Sequence, residues 1–79
     1  MSPAEVTPRI EHVFVNVFGP QTPFSERVSR LTEPRWTSMK HVELIVALEQ
    51  EFGVRFDGAD ATDMVSIPVV VERVLEKLP

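Results

Sequence analysis

The chain contains no cysteine. That excludes a disulfide framework, a thiolate metal site and a protein thiol nucleophile, so any thiol chemistry has to be imported. Glycine occurs only at Gly19, Gly53 and Gly58, too scattered for a loop that cradles phosphates. Basic residues are in the minority, eight Lys and Arg against twelve Asp and Glu, for a net charge of −4. No basic stripe is left to neutralise a nucleic-acid backbone, and basic protein surfaces are the expected partners. No apolar run approaches the length that spans a bilayer, and the opening MSPAEVTPRI lacks a basic stretch followed by an apolar one, so a cytoplasmic protein is expected. Internal repeats and low-complexity tracts are also missing.

What is present suits one small soluble domain over residues 1–79. Hydrophobic residues make up 43% of the chain and charged residues 25%, a balance that favours folding over disorder, although one core of this size gives only modest stability. Residues 1–6 are expected to fray. Thr7 and Pro8 read as a cap and first position of a helix, and Ile10, Val13, Phe14, Val17 and Phe18 give it a narrow apolar stripe before Gly19 and Pro20 end it. His12 falls on the polar side, where solvation accounts for it.

The connection over residues 21–35 is long for so small a domain, and such loops are pinned by their own side chains or functional. Phe24, Val28 and Leu31 are its candidate anchors, and Ser25 to Arg30 a candidate helical turn. Residues 36–56, WTSMKHVELIVALEQEFGVRF, then form the longest helix-compatible run. Leu44, Ile45, Leu48 and Phe52 share one face at about 100° per residue, with His41 inside that arc, while Met39, Val42 and Val46 make a second stripe. Ser38 stands where loop becomes helix and is the expected N-cap; Gly53 is the expected stop. Trp36, just ahead, reads as a core plug or as an exposed contact for partners.

Past Gly53, Val54 to Phe56 reads as a short extended piece and Asp57-Gly58 as a turn. One helical turn is expected over Asp60 to Val65, with Met64 and Val65 inward. A last helix capped by Ser66 tolerates Pro68 in its first turn and buries Ile67, Val70, Val71, Val74, Leu75 and Leu78. The β-branched run Val69 to Val71 lacks strict alternation, so the period favours helix over strand. Three longer helices, one short helix and a long first loop predict an all-α, four-helix bundle.

Few residues carry chemistry of their own. Ser38 and His41 are helical neighbours, but an esterase-like nucleophile also needs an orienting acid and oxyanion donors, and no Gly-x-Ser-x-Gly elbow exists. An enzyme is therefore not expected. The two histidines and scattered carboxylates match no metal-ligand spacing, and His41 reads as a partly buried histidine. Glu43, Glu49 and Glu51 are a solvated face or, for Glu43 and Glu49, contacts for basic partners.

The stretch Ser38-Met39-Lys40-His41-Val42-Glu43-Leu44 followed by Ala47-Leu48-Glu49-Gln50-Glu51-Phe52-Gly53 resembles the Asp-Ser-Leu helix of acyl carrier proteins. The resemblance covers nearly the whole chain, including length and helix layout. It implies a bundle of acyl-carrier type in which Ser38 bears 4′-phosphopantetheine, transferred from coenzyme A by a phosphopantetheinyl transferase. An acyl group would ride on the arm as a thioester, passed among acyl-loading and acyl-transferring enzymes of fatty-acid, polyketide or related lipid metabolism. Trp36, Thr37, Met39, Lys40, Val42, Glu43 and Val46 would form the partner surface, on a monomer. The sequence departs from the family at Thr37, where the family has Asp. Threonine keeps an oxygen but loses the charge, so slower modification or a dedicated transferase is expected. Lys40 lies where the family prefers acid, which points to a dedicated partner set. The alternative is an unmodified module that keeps the fold and binds a protein or lipid noncovalently.

Overall fold

The computed structural model describes residues 1–79 as four helices, α1 (Pro3–Phe18), α2 (Ser38–Phe52), α3 (Gly58–Asp63) and α4 (Ile67–Lys77), with no strand. α1 begins earlier than Thr7-Pro8 suggests. Pro3 takes the first helical position, and the Glu5 carboxylate accepts the Ser2 backbone N–H at 2.9 Å and its hydroxyl at 3.0 Å. Those two donors also hold the Glu5 carboxyl below its ordinary pKa. Ser2-x-x-Glu5 is a capping-box pattern that the stronger Thr-Pro signal masked. Pro8 consequently lies inside the helix, where it withholds one intrahelical bond. The preceding turn holds because Val6 is fully buried, so residues 3–6 are not a frayed end.

α1 packs against both α2 and α4. It supplies Val6, Ile10, Val13, Phe14 and Phe18 to a core that Leu44, Ile45 and Leu48 of α2 and Ile67, Val70 and Val74 of α4 complete, with Val28, Trp36 and Met64 from the connections. Val17, Phe52, Val71, Leu75 and Leu78 are only partly buried at its margin. α1 and α2 are antiparallel, and each cations the other's C-terminal end. Arg9 near the start of α1 donates from Nη2 to the Glu51 carbonyl at 2.8 Å and from Nε to the Glu51 carboxylate at 2.9 Å, its guanidinium 4.6 Å over the Phe52 ring. Lys40 at the start of α2 donates from Nζ to the Val17 carbonyl at 3.2 Å. Each bond satisfies a carbonyl that has no intrahelical partner and places positive charge at the negative end of a helix dipole.

The long connection holds no helix at Ser25 to Arg30. Turns occupy it instead, closed by bonds such as Val28 N–H to the Ser25 carbonyl at 3.1 Å. Val28 is buried as an anchor and Phe24 half-buried, but Leu31 is 98% exposed and anchors nothing. Neighbouring Arg30 donates its backbone N–H to the Val65 carbonyl at 2.9 Å, and Ile67 returns one to the Val28 carbonyl at 3.1 Å. The loop is thus tied to the α3–α4 junction, with an antiparallel bridge between Ser29 and Ser66. That tie replaces the expected hydroxyl cap: Ser66 is at the N-cap position of α4 but its side chain makes no capping bond.

Gly53 ends α2 in the left-handed conformation, φ 64°, which a side chain would strain. The Glu49 carboxylate then accepts the Phe56 N–H at 2.9 Å and folds the extended piece back onto α2. α3 starts two residues before the expected turn because Asp57 caps it: Asp57 Oδ1 accepts from the Asp60 N–H at 2.8 Å and Asp60 Oδ2 from the Asp57 N–H at 3.2 Å. Met64 is fully buried after it, while Val65 is half-buried.

Candidate functional site

The N-cap of α2 is Thr37. Its hydroxyl oxygen accepts the Lys40 N–H at 3.2 Å, so the expected cap, Ser38, is instead the first residue inside the helix. The difference frees the serine. Ser38 is exposed, and its hydroxyl oxygen accepts a bond from Arg30 Nη2 at 2.7 Å. Arg30 is the neighbour that sequence reasoning missed. It lies eight residues away in an irregular loop, where no periodicity signals which side chains return to the helix.

Below Ser38 the fold is closed by Trp36, whose buried ring packs edge-on to Phe14 at 5.9 Å and tilted on Phe18 at 5.6 Å. The plug is therefore the role Trp36 takes; a partner would meet its neighbours and not the indole. Trp36 Nε1–H donates to His41 Nδ1 at 3.0 Å, and His41 Nε2 lies 2.7 Å from the Ala61 carbonyl. A carbonyl accepts only, and an indole N–H donates only, so Nε2 carries the proton and Nδ1 the lone pair. Both ring nitrogens are committed. His41 is thus no general base for Ser38, despite their spacing of three residues. His12 is on the exposed face of α1, 3.3 Å from the Asn16 amide, and no group of three His, Asp or Glu side chains converges on a metal-sized site.

Around Ser38 the second stripe of α2 is exposed, with Met39 76%, Val42 62% and Val46 45% accessible. Ser38, Val42 and Val46 succeed one another at i, i+4, so the apolar stripe runs away from the hydroxyl along the helix. Glu43 lies beside it, paired at 3.1 Å with Lys40. Lys40 is spent on that pair and on the end of α1, so its charge does structural work on the inner side of the surface. Glu49, bonded to Phe56, is likewise committed within the fold. The first turn of α2 contains no acidic residue, leaving its electropositive end without the usual counter-charge.

Ser38 lines none of the molecule's clefts. Of the three clefts, one of about 390 Å³ reaches the far end of the stripe at Val46, with Val54 and Arg55, while one of about 250 Å³ includes His12 and Gln50 and one of about 340 Å³ includes Thr7 and Ile67. What the site offers is an exposed serine hydroxyl beside a cation and an apolar stripe. No helix is long and apolar enough to cross a membrane. Comparison with family models, with curated proteins and with solved structures finds no match in any of the three.

Proposed function

We propose that the chain is an acyl carrier protein of acyl-carrier-type bundle fold, modified on Ser38 with 4′-phosphopantetheine. The observation that carries the reading is the exposed Ser38 hydroxyl at the first turn of α2, at the head of the exposed stripe Met39, Val42 and Val46. The residues fit the group: the hydroxyl is accessible, no carboxylate occupies the first turn of α2, and the helix end favours an anion. In the modification the Ser38 oxygen forms a bond to the β-phosphorus of coenzyme A. The pyrophosphate bond breaks, adenosine 3′,5′-bisphosphate leaves with the electron pair, and the hydroxyl proton goes to a base of the transferase. When bound, the arm supplies the thiol that the cysteine-free chain lacks.

The chain's own residues hold and present. Thr37 keeps the α2 end capped without using Ser38. Met39, Val42 and Val46, with Glu43 at their edge, form the surface for acyl-loading and acyl-transferring enzymes. An apolar patch of this small size suits docking that is released after each transfer. The protein acts as a cytoplasmic monomer and does no catalysis itself.

Intact mass after incubation with coenzyme A and a broad-specificity phosphopantetheinyl transferase tests the reading, with Ser38→Ala alongside. A gain of one phosphopantetheinyl group, absent from the variant, is expected. Thr37, uncharged at the position before the serine, favours the second reading, an unmodified interaction module. No gain with any transferase, including one from the source cell, would overturn the first reading and leave the second as the leading one.

A further inference from the structure

Arg30 bonds to a neutral hydroxyl although its charge is suited to something stronger. Arg9, Arg35, Lys40, Arg73 and Lys77 each pair with a carboxylate, whereas Arg30 forms no ion pair and directs Nη2 to Ser38 Oγ at 2.7 Å. Its backbone is held: the N–H bonds to the Val65 carbonyl, and the Ser29–Ser66 bridge is next to it. A rotamer-rich side chain on a fixed backbone, half-buried, loses less freedom when it binds than one on a loose loop. Thr37 takes the capping role through a neutral oxygen, so no acid beside the serine competes for the guanidinium.

We infer that Arg30 clamps the phosphodiester on Ser38, an inference that rests on the carrier reading. Esterification turns Ser38 Oγ into a bridging oxygen and places two non-bridging oxygens, sharing one negative charge, on the phosphorus bonded to it. A guanidinium already in contact with Oγ reaches those oxygens by a small rotation, and its fork of N–H donors matches a phosphate better than a hydroxyl. The neutral contact becomes a charge-assisted one. Arg30 is a positioning residue: it fixes the root of the arm against the end of α2, so that client enzymes meet it from one direction.

The test compares apo and loaded forms of the full chain, with loading verified by intact mass. In the wild type, loading is expected to raise the melting temperature by about 1 to 4 °C at low salt, the size of an exposed charge-assisted contact in a domain of this length. Arg30→Gln is expected to abolish the rise, and Arg30→Lys to restore part of it. A rise of equal size in Arg30→Gln overturns the clamp while leaving the carrier reading intact. No mass gain in the wild type overturns the carrier reading and the clamp with it. A second measurement needs no variant. In ¹H–¹⁵N spectra of the wild type the Arg30 Nε–H signal is expected to shift on loading, while those of Arg27 and Arg55, which also lack ion pairs, remain in place. An unmoved Arg30 signal overturns the clamp.

Discussion

The indole N–H of Trp36 and Nδ1 of His41 form a hydrogen bond of 3.0 Å inside the fold, and His41 relays the contact to the Ala61 carbonyl at 2.7 Å. One imidazole thus joins the residue ahead of α2 to α3. It accounts for a polar side chain on the core face of α2.

Replacing His41 with Leu keeps the volume but leaves the Trp36 N–H and the Ala61 carbonyl without partners. An unsatisfied buried group costs about 1 to 3 kcal/mol, and since only the Trp36 N–H is fully buried while the Ala61 carbonyl is part-buried, His41→Leu is expected to lose about 1 to 4 kcal/mol in urea unfolding. Trp36 is the single tryptophan, and its fluorescence reports the transition directly. An unchanged midpoint would mean that the relay contributes nothing.

Lys40 joins α2 to α1 through the Val17 carbonyl and pairs with Glu43 within α2. Both side chains of the ion pair are about half exposed, so screening keeps its share small, and Lys40→Met is expected to cost about 0.5 to 1 kcal/mol. Glu43→Gln removes the ion pair alone and should cost less. Chemical melts of the two variants separate the contributions, and equal losses would show that the Val17 carbonyl gains nothing from Lys40.

Asp60 holds α3 to α4: Lys77 Nζ lies 2.8 Å from its carboxylate, and Arg73 bridges it to Asp63. Lys77, with the Asp57 backbone N–H, holds the Asp60 carboxyl below its ordinary value of 3.8. A lowered carboxylate stabilises the fold above 3.8, and the contribution is lost as pH falls through the depressed value. Lys77, raised above 10.5 by Asp60, contributes fully below 10.5 and loses its share as pH climbs past the raised value. Asp60→Asn should therefore melt below the wild type at pH 7, with the gap closing at strongly acid pH. A gap independent of pH from 7 to 2 would contradict the assignment.

Thr37 caps α2 and leaves the exposed Ser38 hydroxyl without a capping role. Thr37→Ala is expected to cost about 0.5 to 2 kcal/mol, the worth of a hydroxyl cap, whereas Ser38→Ala should stay within about 0.5 kcal/mol of the wild type. Thr37→Asp retains a capping oxygen and should match the wild type in stability, and the proposed carrier function has it loaded faster by a phosphopantetheinyl transferase. Paired thermal melts and mass time courses distinguish these outcomes; a larger loss for Ser38→Ala would reverse the division.

The helical stripes were legible because burial in a helix repeats every 3.6 residues, and the residues that fill the core of α2, Leu44, Ile45 and Leu48, obey that period. Gly53 was legible for a local reason, since a left-handed stop favours the residue without Cβ. The start of α1 was misread between two local signals, Ser2-Pro3 and Thr7-Pro8, which only the burial of Val6 separates. Leu31 shows the same limit in the loop, where apolar character gives no direction without a period.

By itself the sequence determined the helical class and the core and exposed faces of α2, because these follow from composition and spacing along one element, whereas Ser38 stood out only through the resemblance of its helix to that of acyl carrier proteins. Tertiary structure alone decided that Thr37 caps while Ser38 stays free, that His41 is bound to Trp36 and Ala61, that Lys40 serves the end of α1, and that Arg30 reaches Ser38. The Thr37 cap is local, three residues along the chain, but each of the others depends on where a side chain from one element meets another. Hydrogen bonds between distant segments are fixed by packing, and no local pattern encodes them.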